Sequence, residues 1–394
     1  MQTTTLPKLG APRIQSLDLL KGIVMVVMTL DHVRDFVHAD SFYFSPTDIE
    51  KTTLPIFFTR WFTHFCAPTF SLLAGASAFL IGLRKSKPDL SGFLLKRGIW
   101  LIVLEITILT FAWFFDIDFH IIILATIWAL GWSMVYLAGA IWLPRWAIVA
   151  TSLAMICGHN LLDGIHFEGN FLWAILHDRG KLPLGDHLLF VAYPLIPWLG
   201  VMALGYALGS LYAPSYDGAH RRQMLTRLGL GTIAAFIAIN AINIYGNMKP
   251  WPQYPTLAMN FMSFLNMEKY PPSMLYLFMT LGPALVFMGK SEGLQGRLVG
   301  WISTYGKVPF FYYIIHLYAI HLVGIALVIA QGFDWHLMIF TNWIGLAEDL
   351  KGFGLGLPGT YLVWLGVVVA LYPACRWFEQ YKAAHKHHWW LSYL

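Results

Sequence analysis

Charged side chains are scarce in this sequence. Asp, Glu, Lys and Arg make up 12% of its 394 residues, whereas a soluble domain carries roughly 25%. That is too few to cover a water-facing surface. Hydrophobic residues reach 57% and mean hydropathy is +0.59. An ordinary soluble domain is thereby excluded, and the length counts membrane spans instead. The net charge is only +5, a surplus that membrane proteins collect in cytoplasmic loops, so no nucleic-acid partner is expected. Cysteine is nearly absent. Cys66, Cys157 and Cys375 stand alone in apolar surroundings with no CxxC spacing, which argues against a disulfide framework or a thiolate metal site; no metal is predicted. Also missing are a nucleophile-elbow serine, a phosphate-binding loop, an HExxH helix and a dinucleotide fingerprint. The polar start and the want of a small-residue cleavage site predict that the first span is retained.

What is present is a series of apolar stretches of about 20 residues, each long enough to span a bilayer. Ten spans are predicted, at 16–37, 55–83, 93–115, 119–143, 145–162, 187–213, 226–246, 272–289, 304–331 and 359–380. This is an all-α polytopic transmembrane bundle, a single integral membrane domain over residues 1–394. The ninth span is long enough to tilt or break. "WHLMIFTNWIGL", within 332–358, predicts a re-entrant or interfacial segment, with an eleventh span as the alternative. Lys8, Arg13, Arg84, Lys85, Lys96, Arg97, Arg221, Arg222, Lys290, Arg297, Arg376 and Lys382 fall in alternate loops and at the ends. Both termini are therefore placed in the cytoplasm. The larger outer loops, 163–186 and 247–271, are the places for substrate contact.

Ionisable residues inside a membrane cost about 2.5–3.5 kcal/mol each on an insertion scale, so their clustering needs a reason. "LDHVRDFVHAD" places Asp31, His32, Arg34, Asp35 and His38 in the outer half of the first span. The bland account is an interfacial helix end held by Asp–Arg pairs; the functional one is a polar cavity with a proton-transfer pair. "FFTRWFTHFCAPTF" adds Arg60 and His64 at i and i+4, at comparable depth on the second span. Two histidines with carboxylates nearby are candidates for general acid–base work. Lys21 lies nearer the inner face, either snorkelling to headgroups or meeting an anionic donor, and Lys96 and Arg97 open the third span at that level. "FFYYIIHLYAIHL" puts Tyr313 and His316 within the ninth span, with His321 expected near the outer surface. Asn240 and Asn243 are either interhelical glue or pocket lining, and "YPLIPWLGVMALGYALG" predicts close packing at Gly200, Gly205 and Gly209.

"RIQSLDLLKGIVMVVMTLDH" resembles the opening helix of membrane acyltransferases, which carries Arg, Asp and an Arg-Gly pair and ends in histidine. Arg13, Asp18, Gly22 and His32 match, while Lys21 replaces the second arginine, keeping the charge and losing the planar fork. "CAPTFSLLAGASAFL", "KYPPSMLYLFMTLGPAL", "GKVPFFYYIIHLYAIHL" and "WWLSYL" extend the likeness along the chain, which resembles bacterial membrane proteins of the heparan-α-glucosaminide N-acetyltransferase-like family. The resemblance implies a bacterial cytoplasmic-membrane enzyme with acetyl-CoA or another acyl-CoA as donor. It implies an amino or hydroxyl acceptor, possibly a sugar or glycan, on the outer side. It also implies a histidine between the first two spans, for which "FVHAD" nominates His38.

Together these give transmembrane acyl transfer as the expected function. His32 is the expected base or covalent acyl carrier, oriented by Asp31 or Asp35, with His64 beside it. Arg34, Arg60, His64, His38, His316, Tyr313 and Asn240 are candidates to hold the acceptor or the oxyanion. Lys21, Arg97 and Lys96 are the candidates for the CoA phosphates. Lipids are the other partners, and oligomerisation is left open. A proton-coupled small-molecule transporter or exporter, using the same His/Asp cluster as a relay, is the competing expectation.

Overall fold

The computed structural model describes residues 15–392; Lys8 and Arg13 lie outside the described residues. Helices α1 (Gln15–Val37), α2 (Leu54–Thr63), α3 (Cys66–Gly82), α4 (Lys87–Leu104) and α5 (Thr110–Phe114) lead into strand β1 (Ile121–Leu124). Then come α6 (Thr126–Ala140), α7 (Arg145–Gly158), α8 (Phe171–Leu176), β2 (Gly180–Leu184) and β3 (His187–Val191). The rest is helical: α9 (Ile196–Gly209), α10 (Gly218–Ile242), α11 (Leu257–Leu265), α12 (Met274–Lys290), α13 (Arg297–Lys307), α14 (Pro309–Ala330) and α15 (Leu357–Ala384). The starts follow ordinary capping chemistry. Ser86, Asp217 and Ser273 accept amide hydrogens from the first turns of α4, α10 and α12.

Four stretches are long and apolar enough to cross a membrane: Leu54–Gly82, Gly218–Ile242, Pro309–Ala330 and Leu357–Ala384. Thr126–Ala140, Ile196–Tyr212 and Met274–Lys290 are apolar but shorter. Helices α10 and α15 turn Leu228, Leu230, Ile237, Leu362, Leu365 and Val369 outward. An apolar exterior over a partly polar interior is the arrangement a bilayer demands.

The sequence expectation of an all-helical chain needs correction. The apolar stretches at 119–143 and 187–213 both open with strands: β1 pairs parallel to β3, and β3 pairs antiparallel to β2, giving the order β1-β3-β2. Short apolar runs read alike as strand or helix, and Ile121-Ile122-Ile123 carries the β-branching that decides for strand. The ninth stretch breaks. Val308 leaves helical geometry (φ −130°, ψ 48°) because it precedes Pro309, which separates α13 from α14. Residues 332–358 form short 3₁₀ turns, not an eleventh helix, and fold over the end of α1, where the Leu355 amide donates to the Val37 carbonyl at 2.7 Å.

Helix α1 is the central element, packed against α2, α3, α13, α14 and α15. Its approach to α13 requires glycine: a Cβ on Gly22 would lie 2.0 Å from the Ile302 carbonyl oxygen. Helices α3 and α9 cross in the same way, with a Cβ on Gly205 only 2.1 Å from the Leu72 carbonyl oxygen. Gly205→Ala forces those two backbones apart. It is expected to cost about 1–3 kcal/mol or more of stability, read as a lowered unfolding midpoint of the protein in detergent. Gly139→Ala, with open space at its Cβ, should leave the midpoint unchanged.

Candidate active site

The buried charges of α1 and α2 meet across one cavity. Asp31 lies between two guanidiniums: Arg34 Nη1 is 2.8 Å from its Oδ1, and Arg60 Nη1 donates to its Oδ2. Arg34 Nη2 also donates to Asp35 at 2.5 Å. Two carboxylates and two guanidiniums thus pair away from bulk water, with the buried Lys269 ammonium also acting on Asp31; pairing of this kind is how such groups are tolerated away from water. Arg60 continues outward, its Nη2 donating to the Tyr270 hydroxyl at 3.3 Å.

His32 stands beside this network but is not held by it. Its Nδ1 lies 2.7 Å from His316 Nε2, and His316 Nδ1 lies 3.0 Å from the Tyr312 carbonyl. A carbonyl oxygen only accepts, so a neutral His316 carries its proton on Nδ1 and accepts at Nε2. His32 then donates from Nδ1 and keeps the lone pair on Nε2. The expectation that Asp31 or Asp35 orients His32 is therefore corrected: the carboxylates are spent on arginines, and His316 from α14 takes that place. Trp113 packs edge-on against the His32 ring at 4.8 Å between centroids.

The cavity has a volume of about 1020 Å³. At one end it is lined by Lys21, Ser77 and Arg97, and Lys21 Nζ donates to Ser77 Oγ at 2.8 Å. Asp31, His32, Arg60, His64 and Tyr313 line it farther along α1, with Lys269 close enough to act on Asp31, His32 and His64, and Asp48, Lys249 and Tyr254 also form part of its wall. From Lys21 to Asp35 the wall is α1 itself, about 21 Å at 1.5 Å per residue. The wall around Tyr270 is cationic and aromatic. Arg179 lies over the Tyr270 ring at 4.8 Å, and Lys269 lies over it at 5.2 Å. Burial pushes the Tyr270 hydroxyl up, but Lys269 and Arg60 pull harder and leave it lowered to about 8.

Several expected residues fall elsewhere. His38 is turned away from the cavity; its Nδ1 lies 3.0 Å from the Leu355 carbonyl, in the bridge that closes the end of α1. Asn240 donates to the Phe264 carbonyl at 2.7 Å, so it ties α10 to α11. Lys96 is exposed and does not line the cavity, although Arg97 does. His321, expected near the outer surface, is fully buried between the Ala112 and Met338 carbonyls. Sequence reasoning missed Arg179, Tyr193 and Trp343 in the cavity wall. For Arg179 the only signal was its place in the 163–186 outer loop.

Glu105 explains how α6 starts without a side-chain cap of its own. The buried Glu105 carboxylate accepts from the Trp128 amide at 2.8 Å, within the first turn of α6. A side-chain oxygen at a helix N-terminus satisfies an orphan amide. A π-helical turn, Glu105–Leu109, places it there. The cavity wall at Ala125, Thr126 and Ile127 is fixed as a result.

The structure is that of a helical integral membrane protein with a polar chamber, an oriented imidazole and several cations in its wall. Residues 13–250 match the family described as heparan-alpha-glucosaminide N-acetyltransferase, catalytic, and the chain belongs to that family. The match covers the Asp31, His32, Arg34, Arg60 and His64 segment and stops short of Lys269, Tyr313 and His316. No curated protein matches the chain.

Proposed function

We propose that the protein is an acyl-CoA-dependent transmembrane acyltransferase. It takes the acyl group at the cytoplasmic end of the chamber and passes it to an amine or hydroxyl, such as that of a sugar, entering from the outer side of a bacterial inner membrane. About ten spans with both termini in the cytoplasm complete this reading. The observation that carries it is the single cavity with Lys21 and Arg97 at one end and His32 in its wall. Lys21 and Arg97 are on the side of the basic loops, where the anionic phosphates of CoA would arrive.

In the reaction, the acceptor nitrogen or oxygen attacks the thioester carbonyl while His32 Nε2 takes its proton. The tetrahedral intermediate collapses, the carbon–sulfur bond breaks, and the departing sulfur takes the proton back from His32. Arg60 and His64 are the nearest candidates to stabilise the oxyanion. Asp31, Arg34 and Asp35 hold Arg60 in place through the ion-pair network.

The test uses the full-length protein in detergent or nanodiscs. Acetyl-CoA should bind, and free CoA should be released when amino sugars or simple amines are added. Lys21→Ala should weaken acetyl-CoA binding by tenfold or more, since a hydrogen bond to a charged group is worth about 1.5–3 kcal/mol. Absence of acetyl-CoA binding, together with proton-coupled solute flux in vesicles, would make the protein a transporter and end this reading.

A further inference from the structure

At the end of α7, away from the chamber, three metal-ligand types converge. His159 and Asp163 come from the turn after α7, and His177 follows α8. One ligand atom from each lies within 4.8 Å of the other two. His159 and His177 are 2% and 1% exposed. Both ring nitrogens of His177, at least one of His159 and Oδ1 of Asp163 are buried without a hydrogen-bond partner among the described residues. His177 Nε2 and Asp163 Oδ1 sit 3.2 Å apart. Ligands on a tetrahedral ion with bonds of about 2.0 Å are separated by about 3.3 Å.

The surroundings are those of a metal's outer shell. Asn160 Nδ2 donates to Asp163 Oδ2 at 2.7 Å, which fixes the carboxylate and leaves Oδ1 free to point at the histidines. The Pro272 carbonyl lies beside His159 and accounts for one ring nitrogen at most. A ligating histidine commonly gives its second N–H to such a carbonyl. The contrasting group of Asp116, Asp118 and His120 is already committed, because Asp116 Oδ2 accepts from both the His120 amide and its Nδ1.

We propose that His159, Asp163 and His177 bind a zinc-class divalent cation. Two imidazoles and a single carboxylate suit zinc and its neighbours, whereas calcium and magnesium require more oxygen ligands. Asp163, with its side chain 11% exposed, supplies the way in. The ion would tie together two segments that reach the chamber. His177 is two residues before Arg179, and Asn160 Oδ1 accepts from the Met274 amide at 2.9 Å, just beyond Tyr270.

Full-length protein purified without chelator is expected to carry about one zinc per chain by elemental analysis. After chelation and loading with Co²⁺ it should give visible d–d absorption of a low-coordinate nitrogen/oxygen site. His159→Gln and His177→Gln should abolish both signals, and Asn160→Ala should weaken metal affinity about 10–100-fold. His120→Ala should leave metal content unchanged. Wild-type protein that holds no zinc and gives no cobalt spectrum overturns the proposal, and this readout needs no variant to fold. So does metal binding that survives His159→Gln and His177→Gln, or that is lost in His120→Ala.

Discussion

Replacing His32 by alanine is expected to lower acyl transfer about 10²–10⁴-fold, the usual contribution of a positioned general base, while acetyl-CoA binding stays intact. The chamber geometry separates these two effects: Lys21 and Arg97 line one end, and His32 stands in the wall several turns farther along α1. His316 acts only through His32, so its substitution should read differently. His316→Leu removes the acceptor for His32 Nδ1–H. The His32 proton is then free to sit on either nitrogen, and the fraction of rings with a lone pair at Nε2 falls. The expected signature is a smaller drop in kcat than for His32→Ala, with KM for the donor unchanged. His316→Gln retains an acceptor oxygen and should restore part of the rate. If His32→Ala turned over at the wild-type rate while still binding donor, the base would have to be another residue, with His64 next in line. If His316→Leu and His316→Gln behaved alike, the contact would be packing and not tautomer control.

The His32–His316 pair also marks the limit of what the sequence can tell. The density of Asp31, His32, Arg34 and Asp35 on one helix, with Arg60 and His64 on the next, favours a polar chamber over an interfacial helix end, because lipid leaves such groups few other neighbours. Lys21 and Arg97 meet in one cavity for a similarly local reason, since each begins a span at the same level. His316 is different. It lies 284 residues from His32, and only the packing of α14 on α1 brings it in. Asp31 was the obvious partner by adjacency, yet neighbours at i and i+1 on a helix point apart, and Arg34 and Arg60 compete for its oxygens. The strands were hidden for another reason. Ile121–Leu124 and His187–Val191 are short apolar segments joined to longer apolar helices, and hydropathy alone runs them together. His159, Asp163 and His177 escaped notice because the end of α8 folds back against the turn after α7, bringing together residues that are apart in the sequence.

Asp31→Ala is expected to be the most damaging single change to stability. Among the described residues, Asp31 is the carboxylate that touches both Arg34 and Arg60. Removing it leaves Arg34, Arg60 and the nearby buried Lys269 with one carboxylate fewer to offset them. The side chains of Arg34, Asp31 and Arg60 are 4%, 11% and 12% exposed, so water cannot screen the excess as it would at a surface. Leaving a buried charge uncompensated costs about 3–5 kcal/mol. Arg34 still has Asp35 at 2.5 Å, so the penalty falls chiefly on Arg60. Arg60→Ala on top of Asp31→Ala should then recover part of the loss, with a coupling of about 0.5–3 kcal/mol between contacting residues. The measurement is a double-mutant cycle of unfolding midpoints in detergent, with the exposed Glu50→Ala as the control. Additive losses in the cycle would mean that Asp31 and Arg60 are solvated independently. The chamber would then hold enough water to act as bulk solvent, and the electrostatic reason for burying the charged network would disappear.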